Sequence, residues 1–174
     1  MELNSSQINK IGKEIEKKIK GKTLFDEFSR GRYSTDASLY QIKPVGVVLP
    51  KDQNDVLSLM EYSQKNSLPL LARGGGSSQC GQTVGDCVVL DYSRHQNKIL
   101  ELNIEEKYVW VEPGIVLDHL NAYLKPHGLW YPVDVSTSSR ATIGGMTANN
   151  SCGSRSLYYG NMVHNVLAIE TILD

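Results

Sequence analysis

Apolar residues recur at helical spacing near the start of the chain. Isoleucines stand at positions 8, 11, 15 and 19, with lysines and glutamates between them. An α-helix repeats every 3.6 residues, so this spacing puts the isoleucines on one face. We predict an amphipathic helix over residues 4–21, capped by Ser5 or Ser6. Its apolar face is expected to pack on the domain surface, with docking to a membrane surface or a subunit as the alternative.

Predicted strands and helices then alternate along the chain. Residues 22–43 are typical of loop and short helix, and the β-branched run at 45–49 predicts a strand. Asp52 is expected to cap a helix that reaches about Lys65, and residues 68–72 predict a buried strand. Further strands are predicted at 88–91, 99–102 and 108–111, the last two as a pair.

The remaining pattern predicts two helices and a final strand. Leucines at 117, 120 and 124 indicate a helix over about 115–125, which Pro126 ends. Residues 127–142 are predicted as loop, followed by a short helix from Ile143 toward Asn149. The apolar run at 166–173 predicts a last strand. Because helices and strands interleave, we expect a mixed α+β fold.

Composition narrows the possible functions. The chain has 174 residues and a net charge of −1, so it is one domain or part of one, and no basic face predicts a nucleic-acid partner. Three cysteines without a C-x-x-C pair predict buried reduced thiols, and neither they nor the four scattered histidines predict a metal site. No apolar run approaches the ~20 residues that span a bilayer. A cytoplasmic location is expected, with peripheral attachment at the inner face of the membrane left open.

Two segments rich in small residues stand about 70 positions apart and carry the chemistry. They are Arg73, Gly74, Gly75, Gly76, Ser77, Ser78 and Gln79, and then residues 141–150 around Gly144 and Gly145. Glycine lets a backbone approach a ligand closely, and successive free N–H groups suit phosphate. The first segment fails the Rossmann pattern at Gln79 and the P-loop pattern at Gln82, which stands where that motif has lysine. A different diphosphate-bearing cofactor is therefore expected.

The ordered landmarks resemble the FAD-linked oxidase superfamily of vanillyl-alcohol oxidase and p-cresol methylhydroxylase. The likeness runs from Tyr33 to the last residue, and its landmarks lie at 71–78, 111–114, 126–134, 142–146 and 149–153. Within the superfamily the chain is most similar to the D-2-hydroxyacid dehydrogenases that act on lactate, glycolate or 2-hydroxyglutarate. Residues 126–159 look most like the subgroup whose flavin domain is fused to a C-terminal iron–sulfur region.

The resemblance implies a fold and a division of the chain. We expect the first lobe of the p-cresol methylhydroxylase type of FAD-binding domain, a mixed sheet with surrounding helices that ends before the second lobe is complete. Residues 1–32 would be an amphipathic helix and linker, and residues 33–174 the FAD-binding domain. The catalytic residues would lie outside this chain, in the remaining lobe and substrate cap of the parent protein or of a partner chain.

The resemblance also implies the residues that bind FAD. The first segment, Arg73 to Gln79, would wrap the pyrophosphate with main-chain N–H groups. The second set would line the flavin, the ribityl chain and the pyrophosphate, and comprises Pro132, Asp134, Thr142, Ile143, Gly144, Gly145, Asn149, Ser151 and Gly153. Some relatives attach flavin through a histidine after the glycines. Ser77 and Ser78 stand there instead, so noncovalent FAD is expected, and Cys152 is expected to pack among apolar residues rather than anchor flavin.

Two functions remain open from the sequence. The chain would be the FAD-binding part of an enzyme that oxidises a D-2-hydroxyacid by hydride transfer to FAD and passes electrons to a quinone, a cytochrome or an Fe–S region. The alternative is a non-catalytic FAD-binding module, or a split-gene product that needs a partner chain. Another oxidase of the same fold, acting on a sugar or an alcohol, is a weaker alternative.

Overall fold

A four-stranded mixed sheet forms the centre of the first half of the protein. The computed structural model describes residues 3–173. The strands are β1 (Lys22–Leu24), β2 (Gly46–Leu49), β3 (Leu70–Arg73) and β4 (Val88–Asp91), in the order β1-β2-β4-β3. β1 runs antiparallel to β2, while β2 and β3 both run parallel to β4. Every residue of β2 and β4 is buried, as expected for parallel strands covered on both faces.

Two helices cover one face of this sheet. α1 (Ser5–Glu16) and α3 (Gln53–Asn66) pack against it in one core cluster that includes Ile8, Ile15 and Leu59. A second, smaller cluster lies on the opposite face around Tyr33 and Val89, next to the short α2 (Glu27–Arg32). The amphipathic pattern of the first residues is therefore satisfied by packing within the domain.

The second half is built from a hairpin and short helices. β5 (Ile99–Asn103) and β6 (Tyr108–Val111) pair antiparallel. They are followed by α4 (Leu117–Leu124), a 3₁₀ turn at Lys125–His127, and α5 (Ile143–Ala148), α6 (Ser156–Tyr159) and α7 (Met162–Asn165). α4 packs on the hairpin through Leu120 and Leu124, and Leu117 joins Met146 and Met162 in a separate cluster.

Most predicted elements are confirmed, including the Asp52 cap of α3, the β5–β6 pair and the helix that starts at Ile143. The cap of α1 was predicted wrongly. Asn4 caps it, because the Asn4 side chain accepts from the Gln7 N–H while the Gln7 side chain accepts from the Asn4 N–H. α1 also ends at Glu16 rather than at residue 21. The N–H groups of Lys20 and Gly21 instead donate to the buried Asp55 carboxylate, each at 2.8 Å.

Two further expectations about strands were wrong. Residues 22–43 were predicted to hold no strand, yet β1 adds to the edge of the sheet beside β2. Residues 166–173 form no strand, because no strand of the described chain lies beside them to complete a ladder. Leu167 and Ile169 of this segment are exposed.

The prediction of buried thiols holds for one cysteine only. Cys87 is buried in the cluster around Tyr33 and Val89, whereas Cys80 and Cys152 are exposed. Both exposed cysteines lie in loops without a surrounding apolar cluster, so the expected apolar packing of Cys152 was wrong.

Candidate functional site

The first glycine-rich segment leaves β3 with its backbone donors free. Within the described chain, the main-chain N–H groups of residues 74–79 donate to no protein acceptor. Gly76 has a φ of +62°, a left-handed conformation that costs glycine little. A curved run of unpaired N–H groups is a concavity for an anion, because each donor otherwise needs an acceptor.

The second segment packs directly against the first. A Cβ added to Gly74 would overlap the Thr142 hydroxyl, and one added to Gly75 would overlap the carbonyl oxygen of Arg140. The Gln82 amide adds a hydrogen bond to Asn149 Oδ1 at 3.2 Å. The fold thus brings the two segments, which are distant in sequence, into one site. Only glycine permits the two backbones to lie this close together.

The start of α5 lies in this site, but its donors are already used. The Ile143 N–H donates to Ile115 O at 2.9 Å and the Gly144 N–H to Pro113 O at 2.8 Å. Thr142 is buried, with 2% of its surface exposed, and its hydroxyl accepts a long hydrogen bond from the Gly145 N–H at 3.4 Å. Residues 142–145 can therefore approach a ligand closely, while the free hydrogen-bond donors come from the first segment.

Asp134 joins the stretches of chain that precede and follow the second segment. Its carboxylate accepts from the Ser154 hydroxyl at 2.8 Å and from the Arg155 N–H at 3.0 Å, and the Arg155 guanidinium lies 3.7 Å away. These hydrogen bonds, led by that of the Arg155 N–H, lower the pKa of Asp134. Gly153 abuts the Asp134 carbonyl so closely that a Cβ would overlap it.

An aromatic group borders this end of the site. The Trp130 ring meets Tyr159 edge-on at 5.2 Å between centroids, and the Arg155 guanidinium lies 5.1 Å from the Trp130 ring centroid. Pro132, which follows on the same segment, is partly buried. Ser151 links α5 to α7, since its N–H donates to Met146 O and its carbonyl accepts from the Met162 N–H.

Arg73 differs from the rest of the first segment. Its guanidinium donates to the carbonyl oxygens of residues 33, 35 and 83. The side chains around it, Tyr33, Asp36, Thr83 and Asp91, carried no individual role in the sequence interpretation. The likeness that starts at Tyr33 was the only sequence signal for them.

A sequence profile described as FAD binding domain matches residues 44–174, about three quarters of the chain. The chain belongs to this family of FAD-binding domains. The fit to FAD rests on the geometry above: unpaired N–H groups suit a pyrophosphate, and glycines keep the cradle open. The cofactor of the domain is FAD.

Curated relatives of the FAD-binding domain are longer oxidoreductases. The chain is 42% identical over 158 residues to the D-2-hydroxyglutarate dehydrogenase of Pseudomonas putida, and the match covers 89% of this chain and 16% of that protein. It is 35% identical over 173 residues to the glycolate oxidase subunit GlcD of Bacillus subtilis, covering 95% and 36%. The chain thus spans about a sixth to a third of the length of these relatives.

Solved structures confirm the fold. The 6-hydroxy-D-nicotine oxidase of Arthrobacter nicotinovorans superimposes with a TM-score of 0.73 at 19% identity, over 84% of this chain and 32% of that one. This fold confirms the predicted α+β class, and the FAD-binding family with its dehydrogenase and oxidase relatives confirms the predicted likeness to FAD-linked oxidases. Among the described residues, no helix is both long and apolar enough to cross a membrane.

Proposed function

We propose that this chain is the FAD-binding portion of an oxidoreductase that oxidises a D-2-hydroxyacid of the lactate, glycolate or 2-hydroxyglutarate type. The observation that carries the proposal is the contact between the two glycine segments, which leaves the N–H groups of residues 74–79 without a protein acceptor. The names of the relatives support the substrate class. FAD, when bound, supplies the acceptor for a hydride from the substrate α-carbon.

Each residue group of the site has a proposed task. The N–H groups of residues 74–79, with the Ser77 and Ser78 hydroxyls, would hold the pyrophosphate. Thr142, Ile143, Gly144 and Gly145 would allow the pyrophosphate and ribityl chain to approach closely. Pro132, Asp134, Asn149, Ser151 and Gly153 would shape the flavin end. FAD would be noncovalent, because serines at 77 and 78 are not groups that commonly form a bond to flavin.

The proposal extends to the division of the protein. Residues 33–174 would bind FAD, with residues 1–32 as helix and linker, and the substrate cap and catalytic base would belong to the remaining lobe in the parent protein or a partner. Electrons would pass to a quinone, a cytochrome or an Fe–S region. The location would be cytoplasmic, at most peripheral to the membrane.

A chimera tests the proposal. In it, residues 3–173 replace the matching region of the Pseudomonas putida D-2-hydroxyglutarate dehydrogenase. We expect the purified chimera to retain FAD through dialysis, to release it on acid precipitation, and to reduce a dye with D-2-hydroxyglutarate. A matched chimera carrying Gly75→Ala should lose FAD, because the added Cβ overlaps Arg140 O.

The same experiment separates the second candidate, a non-catalytic FAD-binding module. A chimera that binds FAD tightly but reduces no dye would support the module and contradict the enzyme. A folded chimera that binds no FAD would contradict both.

A further inference from the structure

Arg73 forms a dense set of hydrogen bonds behind the first glycine segment. It is the last residue of β3, and its guanidinium donates to Thr83 O at 3.0 Å, Thr35 O at 2.9 Å and Tyr33 O at 3.4 Å. Thr83 follows the glycine segment in the chain, whereas Tyr33 and Thr35 precede β2. One side chain therefore ties both ends of the glycine segment to residues 33–35.

The charge of Arg73 is balanced within the protein. The guanidinium lies 5.2 Å from the Tyr33 ring centroid, and the Tyr33 hydroxyl donates to Asp91 Oδ2 at 2.6 Å. Asp91 is buried, and its other oxygen accepts from the N–H and hydroxyl of Ser93. Burial lowers the pKa of Arg73, and the Asp91 carboxylate opposes that shift. The three carbonyls engage three of its five N–H donors, so most of its hydrogen-bonding capacity is used within the protein.

The glycine segment rests on this assembly. A Cβ on Gly76 would lie 2.5 Å from Nη2 of Arg73, so the left-handed turn at Gly76 sits directly on the guanidinium. Two more contacts join the following loop to residues 36–40. The Thr83 hydroxyl donates to Asp36 Oδ2 at 3.0 Å, and the Tyr40 ring packs against Gly81.

We propose that Arg73 is a positioning residue, which clamps the loop of residues 74–83 onto residues 33–36 and so presets the curvature that receives the FAD pyrophosphate, without itself contacting the phosphates. The inference rests on the proposed pyrophosphate role of residues 74–79. A planar guanidinium can reach three carbonyls in fixed directions, and a lysine ammonium in the same place cannot. A clamp therefore needs arginine, whereas neutralising phosphate charge needs only a cation.

The test compares Arg73→Lys with the wild-type chain by two measurements. Backbone ¹⁵N order parameters without FAD report the loop directly. We expect about 0.85 for residues 74–83 in the wild type and below about 0.6 in the variant. Titration with FAD, followed by flavin fluorescence, should show affinity weakened by about 10- to 100-fold despite the retained charge. The order parameters decide the clamp even if the chain binds no FAD, which would count against the proposed function alone.

Arg30→Lys is a matched control. Arg30 is another largely buried arginine. Its Nε donates to Pro44 O at 2.8 Å and its Nη1 lies 3.5 Å from Glu27 Oε2, so these side-chain contacts involve neither the loop nor residues 33–36. Its replacement should leave the loop order unchanged and FAD affinity within about twofold. An ordered loop with near-normal affinity in Arg73→Lys would overturn the proposal.

A second pair of variants covers the case in which Arg73→Lys fails to fold. Thr83→Val removes the hydroxyl that binds Asp36, and Thr83→Ser keeps it. The valine variant should loosen the loop and the serine variant should restore it. Equal loop order in both would contradict the clamp.

Discussion

At the scale of single residues, the site depends on what is missing from glycine side chains. Gly75 lies against Arg140 O and Gly74 against the Thr142 hydroxyl, so both positions exclude a Cβ. The glycines thereby let two backbones touch while the N–H groups of the first stay free. Because this surface consists of backbone atoms at glycine positions, even a conservative replacement of glycine by alanine would disturb it.

Gly75→Ala should abolish FAD binding by the chain while leaving most of the fold intact. The added methyl group would push residues 74–79 away from Arg140 and distort the pyrophosphate cradle. We expect affinity to fall by at least about tenfold, measured by flavin fluorescence. Gly31→Ala is the control, because no atom lies within 4 Å of its Cβ and it is in helix α2. It should bind FAD normally and gain about 0.5–1 kcal/mol of stability. Equal affinity in the two variants would contradict the proposal that residues 74–79 hold the pyrophosphate.

At the scale of elements, α1 is part of the core rather than an appendage. Ile8 and Ile15 are buried with residues of β2, β4 and α3. Gly12 allows this approach, because a Cβ there would press on the Phe25 ring at 2.8 Å. The apolar face of α1 is thus covered. Lys10, Lys13 and Glu16 face solvent, and the half-buried Glu14 accepts from the Tyr62 hydroxyl.

Ile15→Ala should lower the free energy of unfolding by about 2–5 kcal/mol, since it leaves a cavity at a side chain 1% exposed. Urea denaturation followed by circular dichroism measures this change. Lys13→Ala on the exposed face of the same helix is the control and should change stability by no more than about 0.5 kcal/mol. Similar midpoints for both variants would mean that α1 does not pack on the sheet in solution.

At the scale of the whole molecule, the proposed cofactor site lies where the two halves meet. The sheet half supplies residues 74–83, and the half after β4 supplies residues 113–114 and 140–153. Pro113 accepts from the Gly144 N–H, and Gly114 lies against the carbonyls of Tyr92 and Gln96. The thiols differ in exposure, with Cys87 buried in the cluster around Tyr33 and Val89 and Cys80 and Cys152 in exposed loops.

Thiol labelling reports this arrangement. Burial raises the pKa of Cys87 to about 11, so at pH 8 it is almost entirely the unreactive thiol and is also shielded from reagent. We expect iodoacetamide followed by mass spectrometry to modify Cys80 and Cys152 quickly and Cys87 only after unfolding in urea. Rapid labelling of Cys87 in the native chain would contradict its burial in the cluster around Tyr33 and Val89.

Much of this fold could be predicted from local patterns in the sequence. The valine runs of β2 and β4, the Asp52 cap and the isoleucine spacing of α1 each depend on a few neighbouring residues, so they could be predicted. The two ends of α1 were predicted wrongly because several residues near each end could have capped or ended the helix. Asn4 rather than a serine caps α1, and the N–H groups of Lys20 and Gly21, just beyond its end, donate to the Asp55 carboxylate instead of continuing the helix.

The sequence by itself determined the family, the cofactor class and the two glycine segments, because order and spacing of small residues are recorded along the chain. Tertiary structure alone decided that Gly74 meets Thr142, that the donors of α5 are already used, and that Arg73 faces Tyr33 and Thr35. It also left residues 166–173 without a strand partner. The physical reason is range: propensity acts over neighbouring residues, whereas hydrogen-bond partners and close contacts come from residues that are far apart in the chain until it folds.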